Sequence, residues 1–134
     1  MTALTAGRNT PRRENNDVEA HPVKGGVTIY PGALVVLDAV GWAMPGAAGV
    51  GLVAVGRAEA GAVAANNGDA IVRTRRGIFR FANSGGGDAI TRAEIGDTAY
   101  VVDDQTVAKT SNSGARSVAG VIRDVDAQGV WVQI

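Results

Sequence analysis

Residues 70–84 read AIVRTRRGIFRFANS, and the fold class follows from how that run alternates. Successive side chains of a strand point to opposite faces, so Ile71, Arg73 and Arg75 share one face and Val72, Thr74 and Arg76 the other. Gly77 interrupts the alternation, as a bulge or a sharp bend does. Past it, Ile78 and Arg80 share a face, and Phe79 and Phe81 share the opposite one. One face anchors a core while the other presents guanidinium groups. The run is therefore expected to be a bent central strand of a β-domain, with Phe79 and Phe81 as core anchors.

The segments around it fit the same domain. Upstream, Val27 to Tyr30 reads as a short strand closed by the Pro31–Gly32 turn signal. Leu34 to Asp38 (LVVLD) is a nearly continuous apolar run, as expected of a strand buried on both faces. Val40 to Gly51 reads as a loop. Leu52 to Arg57 reads as strand, because Gly56 and Gly61 break any helix there. Asn66–Asn67–Gly68–Asp69 is a turn built from residues that tolerate positive φ. Downstream, Gly85–Gly86–Gly87 reads as a flexible connection. Asp88 to Ile95 (DAITRAEI) holds a helical turn with Thr91 as N-cap, Glu94 as capping-box partner and Gly96 as the stop. Thr98 to Val102 and Thr106 to Thr110 form a hairpin over Asp103–Asp104–Gln105, and Ser111 to Gly114 turns the chain again. Ser117 to Asp124 and Gly129 to Ile134 make a last strand pair. About seven or eight short strands at such spacings describe an all-β protein, a small β-barrel or sandwich with one short helical turn.

Residues 1–26 (MTALTAGRNTPRRENNDVEAHPVKGG) have neither helical nor strand periodicity and end on a glycine pair. They read as an extended N-terminal arm, disordered or extended when free, that reaches on the order of 80 Å at ~3.3 Å per residue. The domain proper is expected to span residues 27–134.

The 13 basic and 13 acidic residues cancel, so no whole-chain attraction to nucleic acid or to an anionic membrane is expected. Charge is nevertheless unevenly spread. Residues 57–80 carry five arginines against Glu59 and Asp69, whereas residues 88–134 carry four basic groups against seven acidic ones. Such polarity suits contacts between subunits. With no cysteine and a single histidine, His21, disulfides, thiolate chemistry and His-cluster metal sites are excluded within one chain. No secretory signal is visible, and the most apolar region, 31–56, is too interrupted by Asp38, Pro45 and glycines to span a membrane; a cytoplasmic origin is expected. Apolar content comes chiefly from alanine and valine. Burial stabilises by roughly 25 cal/mol per Å², so a core of such small side chains gains little per residue. Nineteen glycines raise the entropic cost of folding, and burial between subunits would offset it.

No enzyme is visible. The Asp103–Asp104 and Asp124/Asp126 pairs read as turn residues. The triple glycine lacks the lysine of a P-loop and the spacing of a dinucleotide site. No cofactor or metal is expected. The remaining candidates are arginines: Arg73, Arg75, Arg76 and Arg80 on the central run, and Arg8, Arg12 and Arg13 on the arm, all as contacts to another protein subunit.

That assignment rests on a resemblance. The pieces VKGGVTIYPGALVVLDA, GRAE, RRGIFRFANS, DAITRAEIGDTAYVVDDQTVAKT and RSVAGVIRDVDAQGVWVQI, in this order, resemble the capsid decoration (cement, or minor capsid) proteins of tailed bacteriophages, of the Mu-like transposable type. Residues 1–22 match no motif of that family. The resemblance implies a β-rich protein on the exterior of a phage head, assembled in the host cytoplasm. Its partners would be the major capsid protein and further copies of itself, often as a trimer, with the arm lying across neighbouring capsid subunits. The alternatives are a tail or baseplate structural module and, behind it, a β-barrel that binds nucleic acid through the arginine strand. Direct nucleic-acid contact and membrane contact are not expected.

Overall fold

A computed structural model of the chain describes residues 2–12 and 17–134. It is all-β, with twelve strands among the described residues: β1 (Val18–Pro22), β2 (Thr28–Ile29), β3 (Leu34–Leu37), β4 (Ala43–Pro45), β5 (Val53–Ala58), β6 (Ala62–Val63), β7 (Ile71–Arg75), β8 (Ile78–Asn83), β9 (Thr98–Val101), β10 (Thr106–Ala108), β11 (Val118–Asp126) and β12 (Gly129–Gln133). Two lobes result. The first is a five-stranded sheet in the order β1-β7-β5-β3-β4, accompanied by the two-stranded pair β2-β6. The second is a closed barrel, β10-β8-β12-β11-β9, in which only the β10–β8 contact is parallel. Closure gives every barrel strand a neighbour on both sides over part of its length, although the start of β11 runs past the end of β12.

β3 joins the lobes. Leu34, Val35 and Val36 are all inaccessible to solvent, yet they serve two cores. Leu34 and Val36 point into the barrel core with Phe81, Ile90, Val101, Val107, Ile122, Val130 and Val132. Val35, on the other face, packs with Val23, Ile29, Ala43, Val55 and Val72. Because side chains alternate along a strand, one apolar run is a wall common to both lobes, and LVVL needs no polar position.

The stretch 70–84 crosses between the lobes. Its alternation holds: Val72 and Thr74 are buried while Ile71, Arg73 and Arg75 are exposed, and Phe81 is buried with Phe79 half-buried while Ile78 and Arg80 face out. It is two strands, however, and not one bent strand of a barrel. β7 belongs to the sheet and β8 to the barrel, with Arg76 and Gly77 as the corner. There Gly77 and Ile134 exchange both backbone hydrogen bonds, at 3.3 and 2.9 Å, which fixes the corner to the end of β12. Gly56 sits opposite at a break in the β3–β5 register between Val35 and Val36. Its φ is +135°, and a Cβ there would fall on the carbonyl oxygen of Arg75. Only glycine lets β5 approach the corner so closely.

Other expectations need correction. The ordered domain begins at Val18 and not at residue 27, because Val18–Pro22 pairs antiparallel with all of β7 and Val23 is fully buried. The interval 40–51, read as a loop, contains β4, and the glycine run 85–87 leads into a 3-10 turn, Gly86–Asp88. The second 3-10 turn, Arg92–Glu94, is as expected. Thr91 caps it by accepting from Ala93 N, and the Glu94 carboxylate accepts the Thr91 backbone N–H in return.

Candidate interaction surfaces

The arginines proposed from sequence do not form one patch; the structure distributes them over three surfaces. Arg73 and Arg75 stand on the outer face of the sheet, where β5 lies beside β7. Glu59 draws this face together: its Oε1 accepts from Arg57 Nη2 at 2.7 Å and from Arg75 Nε at 3.1 Å, and its backbone N–H donates to Arg73 O. The two guanidinium hydrogen bonds, Arg57's first, hold the Glu59 carboxyl below the usual carboxylate range. Arg57 also lies over the ring of Phe79, 4.4 Å from its centroid, so this cation covers an aromatic edge of the barrel as well. Among the described residues Arg73 has no ion-pair partner.

Arg76 points away from that face. Its Nε donates to Glu19 Oε1 at 2.7 Å and its backbone N–H to Asp17 O, so it staples β1 to the corner. Arg80 lies on the barrel, hydrogen-bonded to Gln128 Oε1 and set over the Trp131 ring at 5.6 Å. Trp131 Nε1 in turn donates to Asp126 Oδ2 at 2.9 Å. Of the arm arginines, Arg8 and Arg12 are exposed and form no hydrogen bond or ion pair with the domain among the described residues. Arg13 lies outside the described residues.

Of the acidic residues read as turn-formers, Asp103 and Asp126 act as such, whereas Asp124 lies inside β11 opposite Trp131. Asp103 Oδ1 accepts Gln105 N, Asp126 Oδ1 accepts Gln128 N and Gly129 N, and Asp124 pairs with Arg92 at 2.8 Å. Among the described residues no group of His, Asp and Glu could hold a metal ion, and no helix is long and apolar enough to cross a membrane.

Sequence reasoning missed two features. Under the β1–β7 pair lie the buried, unpartnered Nε2 of His21 and Oγ1 of Thr74. His21 Nε2 is 3.4 Å from Glu19 Oε2 without hydrogen-bond geometry, and burial pushes its pKa down despite that carboxylate. The second feature is a groove of about 520 Å³ between β5 and β11, lined by Val50, Leu52, Val53, Val118 and Ile134, with Arg76 at its rim. Neither could be read from the chain. The strand at 18–22 carries no periodicity that announces it, and the groove joins residues about seventy positions apart.

The whole chain was compared with family models, curated proteins and solved structures, and none matches.

Proposed function

We propose that this chain is a non-enzymatic structural protein of a tailed-phage head, which binds the outer surface of the capsid and cements neighbouring major capsid subunits. The observation that carries the reading is the layout of arm and body. A segment at least eleven residues long, 2–12, is exposed along its whole length, and it leads into a strand anchored on a two-lobed β-body. Such a segment gives up conformational entropy only when a partner orders it, and extended backbone pairs readily with the strands of another protein. The order of sequence pieces shared with the decoration proteins supports the same reading, as does a core made largely of valine and alanine, for which binding to a lattice supplies further stability by mass action.

The geometry of the arginine strand favours protein contact over nucleic acid. Arg75, Arg76 and Arg80 already have partners within the chain. Phe81 is buried, and Phe79 lies beneath Arg57, so neither offers a base-stacking platform of the kind single-stranded nucleic acid uses. Arg73, exposed beside the Glu59 cluster, Arg123 on β11, and Arg8 and Arg12 on the arm are, among the described residues, the cations left to meet an acidic partner surface.

The test is binding to heads stripped of this protein. The full chain is expected to co-sediment with them at saturating stoichiometry, and a chain lacking residues 1–12 to bind at least tenfold more weakly. Full occupancy by the truncated chain would remove the arm from the mechanism, and failure of the full chain to bind would overturn the reading.

A further inference from the structure

The groove between β5 and β11 is open along two strand flanks. β5 pairs with β3 at Val53 and Ala54 but meets β7 only at Arg57 and Ala58. β11 pairs with β9 over Val118–Val121 but meets β12 only from Val121 onward. Among the described residues each half-strand facing the groove thus lacks a strand neighbour on that side, and the side chains around it are apolar and solvent-exposed: Val50 is 80 % exposed, Val53 58 % and Val118 52 %. An exposed apolar patch flanked by open strand edges is the arrangement that takes up an extended segment by strand addition.

The same chain carries a segment without a place of its own. Residues 2–6, Thr-Ala-Leu-Thr-Ala, are uncharged and exposed, with Leu4 at 72 %. Laid extended, Thr2, Leu4 and Ala6 fall on one face, so Leu4 is an apolar anchor flanked by side chains small enough for a narrow slot. The charges agree. The two groove arginines, Arg76 and Arg116, are already paired with Glu19 and Asp88, which leaves the slot suited to a neutral occupant.

We infer that this groove receives residues 2–6 of a second copy of this chain. The arm leaves the domain at Asp17, whose carbonyl is bonded to Arg76 on the rim of the groove. Ala6 lies eleven residues before Asp17, a span of ~36 Å at ~3.3 Å per residue when extended, so residues 2–6 of an extended arm fall well past the groove beside Asp17, and Pro11 biases Thr10 towards extended backbone. The groove of an adjacent copy takes the arm at that reach. A segment on one molecule matched to a slot elsewhere on the next is a head-to-tail contact, which propagates into a ring or a row. The inference shares the arm with the capsid reading, but it is tested without capsids, so the two can fail separately.

Because the chain has no cysteine, single-cysteine variants test it cleanly. Leu4→Cys is mixed with Val118→Cys at micromolar concentration under mild oxidation, and in parallel with Val63→Cys, which is 69 % exposed on β6. All three positions are on the surface, so folding is preserved. Disulfide-linked heterodimer is expected at least tenfold faster with Val118→Cys than with Val63→Cys. Equal rates, or no heterodimer in either mixture, would overturn the inference. So would a Leu4→Cys/Val118→Cys double variant that closes only within one chain.

Discussion

His21 is the residue whose surroundings have the clearest measurable consequence. It is the chain's one histidine, carried on the edge strand β1, with Nε2 turned beneath β7 towards Glu19 and Thr74. Burial disfavours its charged form, and the Arg76 guanidinium adds to this, while Glu19 opposes both. The first effect is the largest, so the folded-state pKa lies below that of the unfolded chain. The unfolded state then takes up the proton first, and stability is lost as pH falls from about 6.5 through the lowered folded value. Urea unfolding at pH 7.5 and pH 5.5 is expected to show a lower midpoint at the acid pH, and His21→Gln is expected to abolish most of that difference. The depressed carboxylates Asp38, Glu59, Asp88, Glu94 and Asp126 lose their contribution in a separate window, below the ordinary carboxylate range. A midpoint that rises on acidification would mean that the attraction of Glu19 outweighs burial at this site.

At the scale of elements, β3 decides whether the two lobes are one folding unit. Its alternate side chains enter different cores, so neither core is complete without it. Leu34→Ala is expected to cost about 2–5 kcal/mol, the usual range for a fully buried leucine. It should lower the stability of both lobes together. Trp42 precedes β4 in the sheet lobe and Trp131 lies on β12 in the barrel, so Trp42→Phe and Trp131→Phe leave one fluorescent reporter per lobe. Coincident urea midpoints for the two reporters are expected, before and after Leu34→Ala; separated midpoints would show that the lobes unfold independently. Much of this level was legible in the sequence. The LVVLD run announces a strand buried on both faces, the alternation of 70–84 assigns each side chain correctly, and the Thr91–Glu94 capping box is visible as spacing alone. What was not legible depends on distant partners. Val18–Pro22 has no apolar period and becomes a strand because β7 offers it an edge. Gly77 reads as a bulge or a sharp bend within one strand, and the exchange of hydrogen bonds with Ile134 makes it a corner between two sheets. The arginines read as one cluster of candidate contacts because they are close in sequence, whereas the corner sends Arg76 to the groove and Arg80 to the barrel.

At the scale of the molecule, the account joins a β-body, closed on its barrel side, to an arm that the body itself leaves uncovered. The body's charged face is largely paired within the chain, and among the described residues what remains open includes an exposed arm, a slot with two free strand flanks, Arg73 beside the Glu59 cluster and Arg123 on β11. These are the features on which the proposed binding to further copies and to a capsid lattice rests. The capsid reading is tested most directly by a cryo-EM map of the particle that carries this chain. The expected result is density for the two-lobed body on the outer face of the head, repeated with the shell symmetry, with the arm continuing from β1 onto neighbouring subunits. Density confined to the tail or baseplate, or heads whose outer surface carries no such body, would contradict it.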